Sequence, residues 1–260
     1  MSMTKILKTT PKISVKIWKP IIKKLDEKLE TACLRRDAYL AKVLEVELGH
    51  LENEVSVPNT QASYDYVFSH LDAFDRKLVS LALPQELTIR VNEICARKRI
   101  VRDAFFNRLF LLLAAAPAVV DNLLFEDFAD DWRRDVWSEY KHEGPFFQNG
   151  FYPLEPMVDP FWAVRCAMTI YAENTGLEDY LEPTSGKTIQ ITRDLSGEPV
   201  PASSVYTTVF TKKVSGNDLR GFSCYIPDRE IPGHNAATAY QAKLDDLFGD
   251  LILGADHATN

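Results

Sequence analysis

The chain has 260 residues, of which 46% are hydrophobic, and a formal net charge of −7 at pH 7. These values are typical of a soluble protein with one or two globular domains. The longest apolar run, at residues 109–120, is shorter than the ~20 residues that a membrane-spanning helix needs. The first residues also lack the apolar stretch of a signal peptide. We therefore expect a cytoplasmic protein with no membrane partner.

The residue types that usually carry chemistry are scattered. The four cysteines stand far apart, with no CxxC pair and no histidine at metal-ligand spacing, which disfavours a zinc site and a disulfide framework. Neither a glycine-rich phosphate loop nor a nucleophile elbow of the form G-x-S-x-G occurs. We therefore predict no metal, no cofactor and no enzymatic activity.

The negative net charge conceals two basic segments. Residues 1–50 contain 11 Lys and Arg against 6 Asp and Glu, and residues 76–113 contain 8 against 3, so each segment has a net charge of +5. The rest of the chain then has a net charge of −17. Segregation of this kind predicts local contact with a polyanion such as nucleic acid.

The two basic segments contain two copies of one pattern. RRDAYLAKVL at residues 35–44 returns as VRDAFFNRLF at residues 101–110, with an offset of 66 residues between equivalent positions. Without a gap, this offset also aligns Ile13, Val15 and Ile17 with Val79, Leu81 and Leu83, and Ile21, Leu25 and Leu29 with Leu87, Val91 and Cys95. Repetition in register indicates two structural units of the same kind.

Each copy predicts a strand followed by two helices. KISVKI at residues 12–17 alternates apolar and polar residues, as a strand with one buried face does. PIIKKLDEKLETA at residues 20–32 has apolar residues three and four apart, which predicts a helix that begins at a proline. After a short basic turn, we expect Asp37 in the first copy and Asp103 in the second to cap a further helix.

This order of elements, present twice, resembles the ribbon-helix-helix family of DNA-binding proteins, the MetJ and Arc type. The resemblance covers residues 12–50 and 78–115, which are joined by a connector at residues 51–77. It implies that the two strands pair into an antiparallel ribbon that lies in the major groove of double-stranded DNA. Since both copies lie in one chain, a monomer can form one ribbon, and residues 12–116 are the expected DNA-binding domain.

Six residues are the candidate base readers, because their parity in the strands is opposite to that of the apolar positions: Lys12, Ser14, Lys16, Leu78, Ser80 and Ala82. Lysine suits O6 and N7 of guanine, and serine can donate or accept a hydrogen bond. Leucine and alanine can touch only a thymine methyl group, so the second copy departs from the first and the half-sites need not be palindromic. The alternative is that this second strand packs against something else.

Six residues around the starts of the second helices are the candidate phosphate-binding residues: Arg35, Arg36, Asp37, Arg99, Arg102 and Asp103. The dipole and the unpaired N–H groups of a helix start favour an anion, and the arginines add positive charge at the same places. The alternative is that the repeated RDA sequence only caps two core helices.

The remaining segments predict accessory structures. Residues 1–11 are expected to form a flexible basic arm or a disordered tail, and the acidic connector should contain a turn and then a helix that stays off DNA. Residues 117–260 predict an acidic α+β domain for oligomerisation or partner contact, with a helix over residues 117–142. TIQIT, SVYTTVFTKK and GFSCYI in this part predict a small antiparallel sheet. The fold class predicted for the whole chain is α+β, mostly helical.

These patterns predict a sequence-specific DNA-binding transcription regulator, either activator or repressor, that associates with the nucleoid or a plasmid. The organisation resembles tandem regulators of conjugative transfer on plasmids and mobile elements. The expected partners are double-stranded DNA, RNA polymerase or another regulator, and a second copy of the chain through the C-terminal domain. The alternative is a protein-interaction scaffold, such as a relaxosome accessory or an antitoxin-like component, whose apolar second strand would bind a partner.

Overall fold

The computed structural model describes residues 12–125, 159–162, 164, 165, 168, 191–193 and 199–233. Its helices are α1 (Lys19–Thr31), α2 (Arg36–Glu54), α3 (Gln61–Leu71), α4 (Gln85–Lys98), α5 (Arg102–Ala114) and α6 (Pro117–Leu124). Its strands are β1 (Lys12–Trp18), β2 (Arg76–Ala82), β3 (Ile191–Arg193), β4 (Pro199–Pro201), β5 (Lys213–Val214) and β6 (Asn217–Asp218). The predicted class, α+β and mostly helical with small antiparallel sheets, is confirmed.

Strands β1 and β2 form an antiparallel two-stranded ribbon in which Ser14 lies opposite Ser80. These serines are equivalent positions of the repeat, 66 residues apart. The two strands are therefore paired symmetrically on either side of one pair of equivalent residues. The apolar positions of both strands are buried: Ile13, Val15, Ile17, Val79 and Leu81. The alternation of burial is the predicted one, although β2 begins at Arg76, before the predicted start at residue 78.

The turn between the two helices also repeats. Cys33 between α1 and α2 has φ 56°, and Arg99 between α4 and α5, which is its equivalent at the offset of 66, has φ 47°. The N–H group after each of these residues donates to the carbonyl oxygen five residues earlier, at 2.8 Å in both turns. Both helix ends have a residue with a left-handed φ and the same backbone hydrogen bond after it. The repeat in the sequence is therefore also a repeat in the backbone.

We call residues 12–54 the first unit and residues 76–114 the second unit. Each unit packs mainly on the other: α1 lies against α5, and α2 lies against α4. Their buried apolar residues belong to one continuous core. Helix α3 joins the units, as predicted for the connector, and begins at the cap Thr60, whose side chain accepts from the Ser63 N–H group at 3.1 Å.

Residues 199–233 pack against the two units and share their core. The strands predicted at SVYTTVFTKK and GFSCYI are wrong, because within these stretches only Lys213 belongs to a strand, β5, and Leu219–Phe222 is a short 3-10 helix. Tyr206, Phe210 and Phe222 are fully buried there, so the aromatic and β-branched residues reflect burial and not a sheet.

Two further predictions lie partly or wholly outside the described residues. Of the helix predicted over residues 117–142, Pro117–Leu124 is observed as α6, which ends before the extended Phe125, and residues 126–142 lie outside the described residues. The arm at residues 1–11 also lies outside them. No helix within the described ranges is long and apolar enough to cross a lipid bilayer.

Candidate nucleic-acid interface

The six predicted base readers lie together on one side of the ribbon. The register forms three opposite pairs: Lys12 with Ala82, Ser14 with Ser80, and Lys16 with Leu78. All six side chains are exposed except that of Ala82, which is half-buried, and Leu78 is 66% exposed. We call these six residues the ribbon face. Since the opposite face of the ribbon is buried in the core, the ribbon face is the side that a partner can reach.

Asn107 of α5 fixes the backbone beneath one end of the ribbon face. Its Oδ1 accepts from the Trp18 N–H group at 2.8 Å, and its Nδ2 donates to the Lys16 carbonyl oxygen at 2.9 Å. Asn107 is fully buried, so these bonds hold Lys16 in place from the interior. The sequence reasoning missed this residue because its equivalent at the offset of 66 is Ala41, and the only signal was a polar residue that interrupts an apolar helix.

The start of α5 lies directly against β1. Arg102 donates from one guanidinium nitrogen to the Ser14 carbonyl oxygen at 3.0 Å and from another to Asn92 Oδ1 at 3.1 Å. In the first unit, Arg36 donates to Asp26 Oδ1 at 3.2 Å. Asp26 and Asn92 are equivalent at the offset of 66, as are the two arginines. The repeat therefore preserves a bond that anchors the start of each second helix to its own first helix.

Asp37 and Asp103 do not cap these helices, and this prediction is wrong. Helix α2 begins at Arg36 and α5 at Arg102, so the aspartates lie inside the first turn, and neither helix has a side-chain cap hydrogen bond. Asp37 Oδ2 instead accepts from the Ala82 N–H group at 3.0 Å. A carboxylate in the first turn is stabilised by the helix dipole, and here it also binds the strand of the other unit.

The other two predicted phosphate-binding residues lie in or next to the basic turns. Arg35 precedes α2 and Arg99 follows α4, and both are exposed. Arg99 donates to the Asn59 carbonyl oxygen at 3.2 Å, and the amide of Asn59 donates to the Cys224 carbonyl oxygen at 2.8 Å. The turn of the second unit is therefore tied to residues 199–233, whereas Cys33 occupies the equivalent position in the first unit.

A pocket of about 420 Å³ opens beside the start of α5. Tyr64 and Phe68 of α3 form one wall with nearly parallel rings, and Arg99 and Arg102 form another. Phe68 is 51% exposed. The spacing of Tyr64 and Phe68 predicted the helix but not this exposure, because apolar residues at helical spacing normally face a core.

A second group of ionisable residues is formed by Glu47 and His50 of α2 and by Asp159, and of these Glu47 is buried and the other two are half-buried. Glu47, His50 and Asp159 could each offer a metal ligand, with the ligand atoms within 4.8 Å of one another. However, the Arg165 guanidinium lies 2.9 Å from Glu47 and 2.5 Å from Asp159, so a positive charge already occupies the place of a cation. The sequence could not predict this cluster, because Arg165 lies more than one hundred residues beyond its partners on α2.

The electrostatics of this cluster follow from its composition. One arginine meets three buried or nearly buried carboxylates, since Arg165 also donates to Glu54 at 2.8 Å. Burial raises the pKa of Glu47 to about 7, against the opposing effect of Arg165. The Tyr206 hydroxyl donates to Glu47 at 2.6 Å. The arrangement is an ion-pair network that joins Asp159, Arg165 and Tyr206 to α2.

Comparison with known proteins yields no relative. No protein-family model, no curated protein and no solved structure matches this chain.

Proposed function

We propose that the protein binds double-stranded DNA through the ribbon face and acts as a sequence-specific transcription regulator of the ribbon-helix-helix kind. One observation carries the proposal. Two strands that are equivalent in the repeat pair about Ser14 and Ser80, and they expose Lys12 and Lys16 on the side away from the core. A two-stranded ribbon with outward polar side chains fits the major groove, which is about 12 Å wide.

The phosphate contacts of this proposal lie at the starts of α2 and α5. Arg102 bonds the start of α5 to Ser14 of β1, and Asp37 bonds the start of α2 to Ala82 of β2. Both helix starts are therefore fixed against the ribbon, one from each unit. The free N–H groups of a first turn and its dipole favour a phosphate there, and the exposed Arg35 adds positive charge beside α2.

The charge distribution supports the same proposal. The segments that contain the ribbon, residues 1–50 and 76–113, each have a net charge of +5 in a chain of net charge −7. The acidic remainder should repel DNA and so restrict contact to the ribbon side. Residues 199–233 would then serve assembly or recruitment of a partner such as RNA polymerase, as in a regulator of plasmid transfer.

A protein-interaction scaffold is the second candidate, and the exposure of Leu78 favours it. An exposed leucine on a ribbon suits a protein partner as well as a thymine methyl group. The two lysines on the same face favour DNA, because a protein partner would have to neutralise or desolvate both charges.

Selection from random duplexes at physiological salt tests the proposal. The full chain is required, because residues 205, 206 and 208 bond to buried polar groups of α2 and α5, which a fragment would leave unpaired. We expect one enriched sequence. Enrichment of no sequence, with binding that is weak and highly sensitive to salt, would favour the scaffold.

Two substitutions separate base reading from phosphate binding. Lys16→Ala should lose roughly 1–3 kcal/mol on the selected duplex and relax the base preference at one position. Arg35→Ala should weaken selected and random duplexes together and reduce the salt dependence. Lys23→Ala, which removes the same charge from the exposed side of α1, should leave the base preference unchanged. Equal losses on selected and random DNA for Lys16→Ala would contradict base reading.

A further inference from the structure

The register of the ribbon gives its two ends the same kind of composition. Because β1 and β2 are antiparallel, Lys16 lies opposite Leu78 at one end, and Lys12 lies opposite Ala82 at the other. Each end therefore presents one lysine beside one apolar residue, with two serines between the ends. Both lysines of the ribbon face belong to β1, but they lie at opposite ends of the face. The positive charge is therefore not concentrated at one end.

The spacing of these pairs matches that of DNA bases. Opposite side chains of an antiparallel pair have Cβ atoms about 4.5–5.5 Å apart, about one and a half times the rise of about 3.4 Å per base pair. Lys12 and Lys16 lie roughly 13 Å apart along β1, at about 3.3 Å per residue, which corresponds to about four base-pair steps. The members of one pair thus meet the same or neighbouring base pairs, and the two ends meet different ones.

We propose that each end of the ribbon face reads a guanine together with a neighbouring thymine. This inference rests on the proposed binding of DNA and adds the bases to it. The lysine ammonium group donates to O6 and N7 of guanine, and the apolar side chain removes the thymine methyl group from water. Leu78 covers more area than Ala82, so discrimination of thymine is stronger at the end formed by Lys16 and Leu78.

The exposure of Leu78 supports this reading. Its side chain is 66% exposed, and it points away from the core, so the core gains little from a leucine at this position. The residues that flank it in β2 are Lys77 and the buried Val79. A thymine methyl group is the one apolar feature that a base pair presents in the major groove, and it accounts for an apolar residue beside a lysine.

Base analogues test the inference on the full chain. In the duplex enriched by selection, single thymines are replaced by deoxyuridine, which lacks only the methyl group, and single guanines by 7-deazaguanine, which lacks N7. Affinities are measured by fluorescence anisotropy. We expect one deoxyuridine to weaken binding about fourfold, the effect of removing one buried methyl group, next to a guanine whose replacement also weakens binding. A smaller pair of losses should occur about four base pairs away.

Variants of exposed residues assign these losses to side chains. Leu78→Ala should abolish the larger deoxyuridine effect and retain the neighbouring 7-deazaguanine effect, whereas Lys16→Met should do the reverse. Lys23→Ala, on the exposed side of α1 and outside the ribbon face, should change neither effect and is the control. All three side chains are exposed, so the variants should keep the core, which circular dichroism verifies.

The outcomes distinguish the inference from the function on which it rests. If deoxyuridine weakens binding nowhere, or if the thymine sensed by Leu78 lies about four base pairs from the guanine sensed by Lys16, the inference is wrong and DNA binding stands. If the chain enriches no sequence and Lys16→Met binds every duplex as the wild type does, the proposed function fails and the inference fails with it.

Discussion

The second helices of the two units occupy equivalent places but bury different polar groups. In the first unit, α2 buries Glu47 and Glu54, which bind Arg165 and Tyr206. In the second unit, α5 buries Arg108, which donates to the carbonyl oxygens of residues 205 and 208 at 2.7 and 2.9 Å. The backbone of the repeat is therefore shared, whereas each unit has its own attachment to the C-terminal residues.

The chain therefore contains two kinds of position, those that recur in both units and those that occur once. Positions that form the ribbon and its turns recur at the offset of 66, because both units need the same strand, helix ends and inward apolar residues. Positions that attach Asp159, Arg165 and residues 199–233 occur once, because the rest of the chain is not repeated. Arg108 and its equivalent Lys42 are the sharpest example, since Lys42 is exposed and pairs with Glu45 at 2.9 Å.

The largest expected effect tests this example. Arg108→Ala leaves one buried and one partly buried carbonyl oxygen without their donor. It also removes the guanidinium group that lies 3.9 Å from the Phe210 ring centroid and opens a cavity. We expect a loss of about 3 kcal/mol in the free energy of unfolding. Lys42→Ala, the matched substitution in the first unit, should lose less than about 0.5 kcal/mol because the pair is exposed. Urea unfolding at one protein concentration measures both.

Equal losses for the two variants would mean that α5 does not support residues 199–233 in the way described. A loss confined to Arg108→Ala, together with earlier proteolysis within residues 199–233, would confirm the asymmetry. The ribbon itself should persist in this variant, since Arg108 bonds to neither strand.

The next effect in size is a pH dependence that only the first unit should show. Burial raises the pKa of Glu47 from 4.5 to about 7. The folded chain therefore holds a proton in this range that the unfolded chain releases. The contribution of this group is complete below about pH 4.5 and is lost as the pH rises through about 7. The second unit has the apolar Leu113 at the equivalent position.

We expect the wild type to lose roughly 1–3 kcal/mol of stability between about pH 5 and pH 8 through Glu47. Glu47→Gln should flatten this part of the profile, as urea unfolding at several pH values would show. For His50, burial lowers the pKa, but the hydrogen bond to Asp159 and the negative charges of Glu47 and Asp159 together raise it above its ordinary value. His50 therefore acts in the same direction and remains in the variant. An identical slope in the two proteins would show that Glu47 is ionised throughout.

The sequence predicted the ribbon because its signal is local. The alternation in KISVKI predicts which side of β1 is buried, and the offset of 66 gives the same prediction for β2. All six residues of the ribbon face were identified in this way. The start of β2 at Arg76 was missed, because Arg76 and Lys77 do not continue the apolar alternation. Strand pairing extended the ladder over these two polar residues.

The contacts that attach the C-terminal residues to α2 and α5 were not predictable, because their signal is not local. In the sequence, Glu47 and Glu54 are typical of the polar side of an amphipathic helix. Their burial depends on Arg165 and Tyr206, which are distant in the sequence and bind them in the fold. The capping prediction for Asp37 failed because an aspartate within the first turn and one at the cap differ by a single position in the sequence. The bond from Ala82 to Asp37 depends on the fold and decides between the two.

The smallest expected effect tests the turn, where the two units are most alike. Cys33 and Arg99 both have the left-handed φ that favours glycine. Cys33→Gly should stabilise the chain by about 0.5–1 kcal/mol, because it relieves the strain of a side chain in this region. Arg99→Gly relieves the same strain but loses the bond to the Asn59 carbonyl oxygen, so we expect a change near zero. Thermal unfolding of the two variants measures the difference, which is the contribution of that bond. Stabilisation of equal size in both would mean that the side-chain bond of Arg99 contributes nothing, and that this turn is tied to Asn59 only by the carbonyl oxygens of Lys98 and Arg99, which accept from Asn59 at 3.0 and 3.1 Å.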